Sequence, residues 1–148
     1  MAKVKPGQPF GLDPEWIKKI DWQLALARVM QDLRSDFVYS PHLSFVYAKV
    51  GDQLLAQVKK ELEDGKFSPG VPMTIEVPKT FRIQVAVPSK RFGPSYSRPG
   101  SILLPKDRLL YQALADQAAP IIDAKTDHDR SFSHRLAKAD SPTMFVPT

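Results

Sequence analysis

A chain of 148 residues without cysteine has room for about one domain, or one lobe of a larger protein, and it excludes disulfides, thiolate chemistry and cysteine-held zinc. Apolar residues make up 43%, enough for a real core and against wholesale disorder, yet no apolar run approaches the roughly 18 residues of a membrane span. The net charge of +5 is unevenly placed: seven basic residues between 79 and 108 face only Asp107, so that segment holds +6 and the remainder −1.

Residues 1–12 are rich in Lys, Pro and Gly and read as a flexible or strapping arm. Asp13-Pro14-Glu15 then reads as a helix start, with Asp13 capping free N–H groups and Pro14 at the first helical position. Trp16, Ile17, Ile20, Leu24, Ala27 and Met30 recur at helical spacing, and Leu26, Val29 and Leu33 widen the stripe. This predicts one helix over 14–34, with Trp16 and Trp22 as core or interface anchors. Pro41 discourages helix through Ser40, and Phe45-Val46-Tyr47 is expected to follow as a short apolar or extended piece. Gly51-Asp52 is expected to reset the chain before a second helix over 53–64, carrying Leu54, Leu55, Val58 and Leu62 on one face. Gly65 is its natural stop.

The period then changes. Phe81, Ile83, Val85 and Val87 alternate with Arg82, Gln84 and Ala86, the pattern of a half-buried strand. Residues 74–77 are a candidate short strand before it, and Ser101 to Leu104 a returning partner, giving an outward-reaching hairpin at 81–104 with a long basic loop. Pro105-Lys106-Asp107-Arg108 opens a third helix over 106–122, whose stripe is Leu110, Leu114, Gln117/Ala118 and Ile121, with Ile122 beside it. Pro120 is expected to kink or end that helix. The tail from Thr126 shows no clear final element. The expected fold is α+β: three main helices packed with a small antiparallel hairpin.

Little here carries chemistry directly. No serine sits in Gly-x-Ser-x-Gly, and there is no glycine-rich nucleotide loop. Asp107 is better explained by capping a helix, or by holding Arg108 or a neighbouring strand, than as a catalytic carboxylate. The cluster Asp127-His128-Asp129-Arg130-Ser131-Phe132-Ser133-His134 lacks the spacing of a His-x-x-x-His metal site. It reads as a solvated loop or as a phosphate-facing turn using Arg130, Ser131, Ser133 and Arg135. The basic segment, with Lys79, Arg82, Lys90, Arg91, Arg98, Lys106 and Arg108, would attract phosphate chains. A merely solvated basic surface is the plainer alternative.

Several short motifs fall in a recognisable order. Leu62-Glu63-Asp64-Gly65-Lys66-Phe67-Ser68-Pro69 resembles the helix and turn, Gly-x-Tyr/Phe-x-Pro, that precede the fingers hairpin in bacterial reverse transcriptases of the group II intron, retron-like and phage-defence kinds. Ile75-Glu76-Val77-Pro78-Lys79 resembles their first fingers strand. Arg98-Pro99, then Asp107-Arg108-Leu109-Leu110-Tyr111-Gln112-Ala113-Leu114, resembles their Arg-Pro return strand and Asp-Arg-x-x-x-Gln-Ala-Leu helix. Phe132-Ser133-His134-Arg135-Leu136 is similar to a Phe/Tyr-Ser-x-Arg-Leu that follows. The resemblance spans about residues 54–137, and the segment from Pro88 to Ser97 is longer than the usual tight turn.

The resemblance implies a domain at 13–137 that covers template and incoming nucleotide. Residues 138–148 would be a tail or a truncated junction to a catalytic palm. Arg98 would meet the triphosphate with Lys79 or Lys90 helping, while Arg82 and Arg91 would meet template backbone. Arg108 and Arg135 complete the expected contacts with RNA or DNA. The family's palm holds two divalent metals, Mg²⁺ in a complete polymerase, on aspartates that include a paired Asp-Asp. This chain has no Asp-Asp pair, so alone it is expected to bind no cofactor and extend no primer. A palm-bearing segment is the expected protein partner, and the first residues lack the apolar stretch of a secretory signal, so the cytoplasm is the expected location. A stand-alone small basic nucleic-acid-binding protein and a structural or interaction module with incidental charge are the alternatives.

Overall fold

The computed structural model describes residues 8–35, 41–78, 97–127 and 135–146. Among the described residues, four helices and one two-stranded antiparallel sheet make an α+β fold. The helices belong to a unit formed by residues 1–70 and 105–148; residues 71–104 form a second, smaller unit.

In the helical unit, α1 spans Pro14–Lys19 and α2 spans Trp22–Ser35. The single helix expected over 14–34 is therefore two. At Ile20 the backbone turns extended (φ −74°, ψ 126°). Asp21 then caps a fresh helix, its Oδ1 accepting the Leu24 N–H at 2.9 Å. The break allows Trp22 to fold back, its indole N–H donating to the Ile17 carbonyl at 3.0 Å. Asp13 caps α1 as its sequence predicts, accepting the Glu15 N–H at 2.8 Å.

Helix α3 spans Pro41–Glu63, which overturns two expectations. Phe45-Val46-Tyr47 is helical because Pro41 occupies the start of the helix, where its missing N–H costs nothing. Gly51-Asp52 does not reset the chain. The helix passes through with a kink at Val50 (φ −129°, ψ 15°), and Gly51 is buried because α2 crosses there. A Cβ at Gly51 would stand 2.9 Å from Leu26 Cδ2. The helix ends as read: Gly65 takes a left-handed φ of 67°, and the Lys66 N–H returns to the Glu61 carbonyl at 2.7 Å.

Helix α4 spans Pro105–Asp123, with Pro120 inside it; the proline does not end the helix. Helix α2 packs on α3 and α4, and α3 packs on α4. Ala25, Val29, Val58, Leu62, Phe67, Leu109 and Ala113 fill the centre. The stripe expected on α4 fails at its far end. Ile121 and Ile122 are exposed, because the buried part of α4 is confined to Leu109, Leu110, Gln112 and Ala113.

Among the described residues, two isolated bridges lie outside the hairpin: one ties the N-terminal segment to the segment that follows α3, the other folds the C-terminal segment on itself. Phe10 and Phe67 exchange backbone hydrogen bonds at 2.9 and 3.1 Å, and their rings meet edge to face at 5.4 Å. Near the other end Leu136 pairs with Phe145. The tail thus contains an ordered element that its composition does not announce.

In the second unit, β1 (Met73–Pro78) pairs antiparallel with β2 (Ser97–Ile102). Met73 lies opposite Ile102, and Pro78 opposite Ser97. The short strand expected at 74–77 is thus the one that pairs with the returning segment, which ends at Ile102 rather than Leu104. The strand expected at 81–87 lies outside the described residues.

Candidate nucleic-acid interface

The register of the hairpin decides how its motif residues are grouped. Val77 faces Arg98 and Glu76 faces Pro99 across the ladder, so the Ile75–Pro78 stretch and the Arg98-Pro99 pair are direct neighbours on adjacent strands. Pro78 and Ser97 form the last pair. Residues 79–96 therefore connect two adjoining strand ends, and they contain four basic residues and no acidic one. Pro99 brings no backbone N–H to the ladder, which a two-stranded ribbon tolerates on its open side.

Of the residues singled out by sequence, Lys79, Arg82, Lys90 and Arg91 lie outside the described residues. Arg98 has its backbone in β2, with its side chain outside the description. Arg108 is half-buried in the first turn of α4, and Arg135 is exposed, its carbonyl accepting the Val146 N–H at 2.8 Å. The hairpin therefore gathers Arg98 with the segment that carries Lys79, Arg82, Lys90 and Arg91, while Arg108 and Arg135 belong to the helical unit.

The first turn of α4 is held from three directions. Tyr47, buried on α3, donates its hydroxyl to the Pro105 carbonyl at 3.1 Å. Burial pushes its phenol up to about 12; the Arg108 charge opposes that shift and the Asp107 charge adds to it. Lys106 Nζ pairs with both oxygens of Glu61 at 2.8 and 3.0 Å and lies 5.6 Å from the centre of the Phe67 ring. The Lys106 hydrogen bond holds the Glu61 carboxyl below its ordinary range. Asp107 Oδ2 accepts the Gly70 N–H at 2.9 Å. Its other oxygen is buried with no hydrogen-bond partner among the described residues.

Asp107 is thus a fastener between the start of α4 and the segment that follows α3, in line with a structural role. Tyr47, Glu61 and Lys106 were not visible as a group, because three separate stretches meet there. The only sequence signal was Lys106 beside the Asp107-Arg108 motif. Among the described residues no three His, Asp or Glu side chains converge as metal ligands, and no helix is long and apolar enough to cross a membrane. Residues 128–134 of the polar cluster lie outside the described residues. No protein-family model, curated protein or solved structure matches this chain.

Proposed function

We propose that this chain is the fingers portion of an RNA-directed DNA polymerase, holding template backbone and incoming nucleotide for a palm that supplies the metal-binding carboxylates. The supporting observation is the hairpin register. It sets Ile75–Pro78 beside Arg98-Pro99, two motifs that the sequence separates by a long insertion. Two further observations agree. Gly65 and Phe67 of the Gly-x-Phe-x-Pro motif end α3 and fill the core, and Asp107 of the Asp-Arg motif fastens α4 to Gly70.

In this reading Arg98 is the main phosphate contact. A guanidinium presents a planar fork of donors to phosphate oxygens. Lys79 and Lys90 assist, and Arg82 and Arg91 follow the template without reading its bases, since phosphate carries no base code. Arg108 and Arg135, on the helical unit, are the further nucleic-acid contacts of this reading.

The test is a binding titration of wild type and Arg98→Ala against a primer–template with nucleoside triphosphate, at two salt concentrations. Loss of the contact weakens binding by about 1–3 kcal/mol. Wild-type affinity in Arg98→Ala at both salts would end the assignment.

A further inference from the structure

We propose that residues 135–146 form a releasable strap over α2 and α4, and that Arg28 is its latch. Arg28 is an arginine on the inner side of α2, and its side chain is only 8% exposed. It donates in three directions: Nη1 to Asp116 Oδ1 of α4 at 2.7 Å, Nε to the Ser141 carbonyl at 3.0 Å, and Nη2 to the Ala139 carbonyl at 3.1 Å. Gln112, also buried, donates to Asp116 Oδ1 at 2.7 Å and reaches Met144 Sδ at 3.6 Å. One planar guanidinium therefore joins two helices and the strap.

The strap is organised internally as well. The Ala137 N–H donates to the Met144 carbonyl and the Val146 N–H to the Arg135 carbonyl. The Ser141 N–H closes a turn on the Lys138 carbonyl, and the hydroxyls of Ser141 and Thr143 meet at 2.9 Å. Yet none of residues 135–146 is buried, and none belongs to the apolar set of the core. A segment that adds no buried apolar side chain gains little from the hydrophobic effect, so its attachment rests on its polar contacts.

The balance of those contacts permits opening. Asp116 Oδ2 is buried with no hydrogen-bond partner among the described residues. Such an oxygen carries a desolvation cost. Lifting the strap admits water to it and to the guanidinium donors, which offsets part of the loss, while the Arg28–Asp116 pair stays intact between α2 and α4. The strap can therefore leave as a unit without taking the helices with it.

Native-state hydrogen exchange of the full chain across low urea concentrations tests this. In wild type, the Ala137 and Val146 amides exchange through an opening that is nearly independent of urea, while core amides of α2 follow global unfolding. In Arg28→Lys, the charge facing Asp116 remains but the two strap carbonyls lose the fork. Exchange at Ala137 and Val146 then rises by about 10- to 100-fold, with α2 and α4 amides changing far less. Unchanged strap exchange in Arg28→Lys would overturn the latch. Strap and helix amides sharing one urea dependence in wild type would overturn the strap, and that measurement needs no variant to fold.

Discussion

Replacing Phe67 by alanine removes the largest fully buried side chain in the molecule as described, at 1% exposure. Three things are lost together. The ring fills space against the centre of the helical unit. It meets Phe10 edge to face at 5.4 Å, and it underlies the Lys106 ammonium at 5.6 Å. A buried Phe→Ala change costs about 3–5 kcal/mol, and the edge-to-face pair contributes about 0.5–1.5 kcal/mol of such a loss. Phe10→Ala removes the same pair but much less buried surface, because Phe10 is only half-buried, so its cost is about 1–2 kcal/mol. Urea unfolding followed by circular dichroism measures both. The expected result is a lower midpoint with an unchanged urea slope, and a larger loss at Phe67 than at Phe10. A loss below about 1 kcal/mol in Phe67→Ala would refute the packing account. Should that variant fail to fold, Phe10→Ala still tests the pair.

Tyr47→Phe deletes the bond to the Pro105 carbonyl and is expected to cost about 1 kcal/mol in the same unfolding assay. The neutral Tyr47 phenol, with its pKa pushed up to about 12, stabilises the fold fully below the ordinary tyrosine value. That contribution declines as pH rises from about 10 toward 12; spectrophotometric titration should show one late-ionising tyrosine that Tyr47→Phe removes. Glu61 behaves oppositely. Its folded pKa lies below the ordinary 4.5, so its stabilisation is present above that pH and is lost as pH falls through the lowered value. Lys106→Met should flatten this acid-side decline in stability measured between pH 6 and 3.

Local signals were legible wherever a single stretch determines its own backbone. Asp13-Pro14, the Gly65 stop and the α4 start at Pro105 follow from capping and φ preferences alone. The errors arose where distant residues decide. Nothing local says that Asp21 will begin a second helix so that Trp22 can reach the Ile17 carbonyl. Gly51 reads as a break, yet it serves as the space that Leu26 of another helix needs. The burial of Arg28 on α2 depends on carbonyls more than a hundred residues away, which no local pattern announces. At the hairpin, alternation pointed to residues 81–87 as the partner of the returning strand, whereas β2 pairs with 73–78. The candidate phosphate contacts were visible as charge from the outset.

The most direct measurement of the central claim is the salt dependence of binding between the full chain and a short single-stranded oligonucleotide. Four basic residues in 79–96 with no acidic residue among them, together with Arg98, predict about five neutralised phosphates and a slope of log K against log salt of about −3.5. Substituting Lys90 and Arg91 together by alanine should reduce the steepness by about 1.4. No binding at low salt, or a slope near zero that the double substitution leaves unchanged, would contradict the account.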